Sequence, residues 1–523
     1  MEREKSRENQ TLRRGEQREA AQRAGGGEGQ RQKLRALTGQ TMLLSLGQLL
    51  GNFSTIGLTA VLTRCMTMEA YAQHKQALLI YVICAPLLSL GLPRALYFFL
   101  SSEERRPRGI FYETLSLLGL LSLLFAGLLF AGGLAAVAEY FQQPVLVELA
   151  LPLAIYGAAS LIQSTFAPTM MSRQRAKALV LFQSCAQLLR FAAVALTAWI
   201  SGEAWATIWS CSLASAGIAL GGIALNLHTL PRSAEDRPSP ESLKEQLRYA
   251  VPLGLSGMLG ALSIQVDKYI VSSSCSAEEF AVYITGALEL PLIAVVVGSM
   301  NTVIFPHLVK AYRAGDLNQI LSLWQGSMGQ ALLLLLPATG AVLLCGEELI
   351  ALAFSERYRA AAVPFRIYAL SLPLRAAVYS SILMATDRTR WITGCTLFSL
   401  LTNLSLNLLF VPALGSEGAA WATVLTNYLT VLLMTYSLSR ALARSPLALF
   451  DWTLIGRTLV AATLPGLICW WALQHPALRA LGDFTRLCLA GAVYGGLVLI
   501  GYRIFGLATI RELIGLLRRR APR

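Results

Sequence analysis

Residues Gln246–Leu308 read QLRYAVPLGLSGMLGALSIQVDKYIVSSSCSAEEFAVYITGALELPLIAVVVGSMNTVIFPHL. Two long apolar runs flank a short polar turn, Ser272-Ser273-Ser274-Cys275-Ser276. Each run is long enough to cross a hydrocarbon core of about 30 Å, which takes roughly 20 helical residues. Charges nevertheless sit within them: Asp267 and Lys268 before the turn, Glu289 well past it. Charge in hydrocarbon is costly, so such residues face a bundle interior or a watery cavity and carry function. The stretch predicts an all-α polytopic membrane protein with working groups inside its bundle.

The rest of the chain agrees. Its 523 residues are 55% hydrophobic and 14% charged, against about a quarter charged in a soluble protein. The net charge of +14 would suit nucleic acid. The basic residues instead collect in the loops of one side, the positive-inside pattern, so the expected partner is the lipid bilayer and no nucleic acid. Arg105, Arg106, Arg108, Arg173, Arg175, Lys177, Arg232, Arg237, Lys244 and Arg248 mark that side, and both termini are expected in the cytoplasm. Nine cysteines stand singly without a C-x-x-C, so no disulfide framework is expected. The four histidines (His74, His228, His307, His475) stand apart, at predicted helix edges, so no metal or other cofactor is expected. No loop could house a catalytic domain and no G-x-x-x-x-G-K-[ST] motif occurs, so the chain does not read as an enzyme.

Hydropathy predicts about 14 spanning helices. Six fall at about 40–63, 76–100, 112–137, 146–170, 177–200 and 204–227. Six more fall at about 249–272, 280–305, 318–345, 363–385, 391–413 and 418–440, and two follow at about 453–474 and 483–503. The division is a disordered basic tail (1–37), an N-terminal six-helix lobe (38–228), a cytoplasmic linker (229–248), a C-terminal six-helix lobe (249–441) and two additional helices (442–504). Residues 505–523, with Leu507, Ile510, Leu513, Ile514 and Leu517 at helical spacing beside Arg511 and Arg518, predict a basic interfacial helix.

The two lobes repeat one another. Gly202-Glu203-Ala204-Trp205-Ala206-Thr207 opens the sixth helix and Gly418-Ala419-Ala420-Trp421-Ala422-Thr423 the twelfth. An offset of six helices is even, so the copies run the same way across the membrane. Two pseudo-symmetric lobes around a cleft form a transporter architecture, worked by alternating access.

These residues also carry a resemblance. Val266-Asp267-Lys268-Tyr269-Ile270-Val271-Ser272, then Ser276-Ala277-Glu278-Glu279-Phe280-Ala281-Val282-Tyr283, resembles the seventh and eighth helices of bacterial polysaccharide transporters. Asn407-Leu408-Leu409-Phe410-Val411-Pro412 with the following Gly418–Thr423 run does so too. The family is the oligosaccharide flippases of the multidrug/oligosaccharidyl-lipid/polysaccharide exporter superfamily, with two extra helices as in spore-cortex and lipid II flippases. The resemblance covers roughly 38–440. It implies a V-shaped pair of lobes with helices 1, 2, 7 and 8 lining the cavity. The implied cargo is a glycan precursor on undecaprenyl pyrophosphate, the implied partners glycan-assembly enzymes, and the working unit a monomer.

Glu289 lies about 15 Å by helical rise from the outer edge of its helix, with Pro291 beside it. It reads as a coupling-ion group for H⁺ or Na⁺, or as a carboxyl packed against Thr285. Asp267 reads as a second coupling or cavity acid. Lys268, its neighbour, is expected to snorkel outward or to line the cavity. Arg94 follows Gly91-Leu92-Pro93 near the inner end of its helix, where a guanidinium would grip a pyrophosphate; the alternative is snorkelling to headgroups. Asn52, Asn301, Asn403 and Arg375 are candidates for sugar or phosphate contact, or for interhelical hydrogen bonds. Arg190 reads as structural. Tyr97, Phe98 and Phe99 read as groups that stack on sugars or lipid, or as an interfacial belt. Two other functions compete with the flippase: a cation-coupled multidrug antiporter, which would want acids rather than arginines in its cavity, and a membrane glycosyltransferase or polymerase. The second would need a large outer loop, and the longest expected here is Cys345–Pro364.

Overall fold

Among the described residues, which in this computed structural model are 43–102, 106–288 and 291–507, the chain forms helices and no strand. The basic tail (1–37) and nearly all of the expected interfacial helix lie outside them. Helix α1 covers 43–65. Thr67 then caps α2 (Met68–Ser89) by accepting from the Ala70 N–H. The single helix expected at 76–100 is two. Leu90 and Gly91 turn left-handed (φ 46° and 74°), and α3 (Leu92–Ser102) leaves at 43°. Gly91 takes that φ without penalty, and Pro93, lacking an N–H, begins a helix better than it continues one.

The N-terminal lobe continues through α4 (Pro107–Leu128), a π turn (Leu129–Gly133), α5 (Leu134–Tyr140), α6 (Ala150–Gln163), α7 (Phe166–Ser172), α8 (Ala176–Ser201) and α9 (Ala204–Thr229). The C-terminal lobe holds α10 (Pro240–Ser274), α11 (Ala277–Gly286), α12 (Pro291–Arg313), α13 (Leu317–Ala353), α14 (Ala362–Ala369), α15 (Tyr379–Ala385) and α16 (Thr389–Leu442). α16 has 54 residues, about 80 Å if straight. It breaks at Gly415 (φ 59°, ψ −144°). Asn403 Nδ2 reaches Thr423 Oγ1 at 3.2 Å, a contact that 20 residues of straight helix would put about 30 Å apart. α16 therefore folds back on itself.

Nine helices among the described residues are long and apolar enough to cross a bilayer, eleven if each of two bent pairs counts as one span. That is fewer than the expected 14, partly because α16 counts once. Two further expectations change. Cys345–Ala353 is the end of α13 and not an outer loop. His74 sits inside α2, buried, with Nδ1 2.9 Å from Thr207 Oγ1 of α9. The repeated Gly-x-Ala-Trp-Ala-Thr motif thus places a threonine against a buried polar partner in both lobes, His74 in one and Asn403 in the other.

The two additional helices, α17 (Trp452–Leu473) and α19 (Asp483–Ile504), joined by the short α18 (Pro476–Arg479), pack on each other and on α13. Tyr502 donates to the Leu333 carbonyl at 2.6 Å. Arg359–Asp483 (2.6 Å) and Arg486–Glu348 (3.1 Å) bind the start of α19 to the C-terminal lobe.

The linker is shorter than expected, since α10 begins at Pro240. Its attachment is specific. Asp236 Oδ1 accepts from the Arg108 and Gly109 N–H groups (3.0 and 3.2 Å), capping α4 from another segment. Glu113, buried in α4, accepts from Arg106 (2.8 Å), the Ser239 N–H (2.7 Å), Ser242 (2.6 Å) and Gln246 (2.6 Å). The first turns of α10 are thereby fastened to the N-terminal lobe. Glu113→Gln should cost about 1–3 kcal/mol, because its amide cannot accept from all four donors. Melting of the purified protein in detergent should fall measurably; an unchanged melting temperature would show that the latch contributes nothing.

Candidate functional site

Helix α10 belongs to both lobes, and the candidate groups lie along it. Its linker-side half meets the N-terminal lobe at Glu113. Its far half meets α16, with Ser263 3.3 Å from Ser399, and again the N-terminal lobe, where Tyr269 stacks on Tyr140.

At the far half, α10 buries Asp267. Tyr283 of α11 donates to Asp267 Oδ2 at 2.7 Å, and Tyr368 of α14 donates to the same oxygen at 2.5 Å. The two hydroxyls are 2.8 Å apart. Three helices thus meet on one carboxylate. Thr423 of α16 neighbours Tyr368 and accepts from Asn403, which in turn accepts from Asn407. The Ser276–Glu279 capping box fixes the start of α11 and so the height of Tyr283. Lys268 does not snorkel outward. Its Nζ turns back, donates to the Ile264 carbonyl at 2.8 Å and stands 3.6 Å from Asp267 Oδ1. An ammonium at this depth loses less by pairing with the adjacent carboxylate than by standing alone. Sequence reasoning missed both tyrosines. Buried tyrosine hydroxyls need partners, a signal that flags Tyr283 and Tyr368 but does not pair them with Asp267.

On the linker side the lobes meet at glycines. A methyl group built on Gly91 would stand 2.5 Å from the Ala250 carbonyl oxygen and 2.7 Å from Gly254 N. Arg94, one turn beyond the α2–α3 break, is exposed and lies across α10, with Nη1 3.2 Å from where a Gly257 methyl would be. Phe98 stacks on Tyr249 of α10 (4.5 Å) and Phe99 meets it edge-on, so these two are part of the seam rather than a belt. The far-side seam is polar. Thr63 donates to the Phe354 carbonyl (2.8 Å), Arg64 to those of Leu352 and Ala353, and Gln76 to Ser272 (3.0 Å).

The remaining candidates scatter. Asn52 lines a cavity inside the N-terminal lobe together with Arg190, and Arg190 donates to Gln163 Oε1 at 2.9 Å. Asn301 accepts from Ser381 at 2.5 Å, tying α12 to α15. Arg375 sits in the turn Leu372–Ala376, within a bend of 47°. Glu289 lies outside the described residues. No group of three His, Cys, Asp or Glu side chains placed to hold a metal occurs among the described residues.

Comparison with known proteins places this arrangement. The family described as polysaccharide biosynthesis protein matches residues 37–312. A probable lipid II flippase MurJ from Rhizobium meliloti (strain 1021) is 29% identical over 201 residues, 37% of each chain. A second, from Rhizobium tropici, is 24% identical over 327 residues, 58% of each. The chain therefore spans well under two thirds of the length of these curated relatives. Among solved structures, lipid II flippase MurJ in an inward closed conformation superposes with a TM-score of 0.71 at 13% identity, over 91% of this chain and 99% of that one. An inward-facing multidrug resistance MATE family transporter of the MOP superfamily gives 0.58 at 15%, over 76% and 98%. At these identities the likeness is one of fold.

Proposed function

The chain belongs to the polysaccharide biosynthesis protein family, and from that premise we propose that it turns an undecaprenyl-pyrophosphate-linked oligosaccharide or glycan precursor across a bacterial cytoplasmic membrane. The observation that carries this reading is Arg94: an exposed guanidinium at a helix break, laid across α10 where the two lobes meet. A pyrophosphate arriving from the linker side would find a two-pronged donor there. The basic loops make that side cytoplasmic, with both termini on it. The lipid II flippase names of the curated relatives support the cargo class.

Alternating access would open one seam as the other closes. The Gly91–Gly254 contact holds nothing but close backbone packing, so it parts without breaking ion pairs. α10, fastened to the N-terminal lobe at Glu113 and to the C-terminal lobe beyond Gly260, bends between these anchors, where Pro252 lies inside the helix. Asp267 couples an ion gradient to this bend. Taking up H⁺ or Na⁺ would change the charge that α10, α11 and α14 share. The protein works as a monomer alongside glycan-assembly enzymes.

The likeness to a multidrug MATE transporter favours a second reading, cation-coupled drug export. Binding to the purified protein in nanodiscs separates them. Arg94→Ala should weaken binding of the pyrophosphate-linked oligosaccharide about 10- to 100-fold, the worth of a charge-assisted hydrogen bond, with no binding of a cationic dye. Dye binding without lipid binding would hand the function to the exporter reading. Equal lipid affinity in the variant would remove Arg94 from the site.

A further inference from the structure

Two polar stripes face each other inside the N-terminal lobe. Gln48, Asn52 and Thr55 recur at helical spacing on α1, and Gln183, Gln187 and Arg190 do so on α8. A polar stripe turned to lipid would be costly, so the stripes line a half-open cavity of about 540 Å³ flanked by α6 and α9. Counted from Ala176, Arg190 lies about 21 Å along α8, so the cavity reaches from the linker side to mid-depth.

Among the described residues the lining has one charge. Arg190 spends one donor on Gln163 Oε1, and Gln163 is held in that orientation because its own amide donates to the Ser215 carbonyl at 2.7 Å. Arg190 Nε is buried and has no partner among the described residues. Among the described residues no carboxylate lines the cavity. A half-buried guanidinium without a counter-ion, its Nε buried and unpartnered, is completed by an anion, and a guanidinium suits a phosphate. The cavity far exceeds a bare phosphate. Its side-chain amides offer donors and acceptors side by side, the pattern that hydroxyl groups satisfy.

We propose that this cavity binds a phosphate ester bearing a hydroxylated group, with Arg190 on the phosphate and Asn52 and Gln187 on the hydroxyls. A glycerophospholipid headgroup and a soluble polyol phosphate share this chemistry. The site lies within one lobe and stands or falls independently of the transport reading.

The test uses the full chain. Native mass spectrometry would follow retention of added phosphatidylglycerol against phosphatidylcholine, and calorimetry would follow glycerol 3-phosphate. One tightly held phosphatidylglycerol, or saturable glycerol 3-phosphate binding, is expected in the wild type. Either should weaken at least tenfold in Arg190→Gln and partly recover in Arg190→Lys. Gln187→Leu, which leaves the Arg190–Gln163 bond in place, should weaken it several-fold and guards against misfolding of the arginine variant. Binding of phosphatidylglycerol alone identifies a headgroup site; binding of both identifies a general phosphate-ester site. Failure of both ligands to bind, or equal binding by wild type and Arg190→Gln, would overturn the proposal.

Discussion

Asp267→Asn should lower transport about 100-fold and leave the residual rate indifferent to an imposed ion gradient. The carboxylate accepts from two tyrosine hydroxyls on two other helices and pairs with Lys268. Hydrogen bonds to a charged group are worth about 1.5–3 kcal/mol each. An amide keeps the shape, accepts on one atom only and cannot change charge. The variant should fold, because the tyrosines retain an acceptor. Its defect should appear in the response to the gradient and not in protein level. Reconstituted vesicles with an imposed pH or sodium gradient read this directly. Tyr283→Phe removes one donor and should cost about tenfold, with gradient dependence kept. A variant Asp267→Asn that still accelerates under a gradient would move the coupling group elsewhere, Glu289 being the next candidate.

Gly254→Val should prevent the linker-side seam from closing. A methyl built on Gly254 would stand 2.5 Å from the Leu90 carbonyl carbon and 2.7 Å from Gly91 N. The colliding atoms are backbone, which cannot rotate aside. Overpacking of this kind costs about 1–3 kcal/mol, enough to shift a closed state from dominant to minor. Spin labels at Arg175 and Arg313, one in each lobe on the linker side and both exposed, should report a longer mean distance in the variant, and transport should fall more than tenfold. An unchanged distance distribution would show that α3 and α10 can separate without opening the seam. Gly91 is the harsher site, since its φ of 74° adds backbone strain to any side chain.

The sequence alone was enough for the class and for the repeated motif. These rest on local quantities: runs of apolar residues, the placement of arginines, and a six-residue motif that recurs. It also singled out charged residues within apolar runs, because each is costly by itself wherever it ends up. It did not show every helix break. Leu90-Gly91 and the π turn after Leu128 interrupt runs whose hydropathy is continuous, and hydropathy carries no record of φ; the break at Gly415 was legible, because Ser416 and Glu417 separate the helices expected at 391–413 and 418–440. Nor did it show where α10 begins, since Ser242 and Gln246, polar in sequence, are held by Glu113, a partner some 130 residues away.

Tertiary structure alone decided which partner each polar group meets. Asn52, expected at the cleft between lobes, instead shares a cavity within one lobe with Arg190, which had read as a structural lock. Lys268, expected to reach outward, folds onto Asp267. The tyrosines that complete the Asp267 cluster come from α11 and α14, and nothing in their own neighbourhoods in the chain announces the pairing. The physical reason is the same in each case. The cost of burying a polar group is a property of the residue and is legible in order along the chain. The partner that offsets it is a property of packing, and packing joins residues that the chain keeps a hundred positions apart.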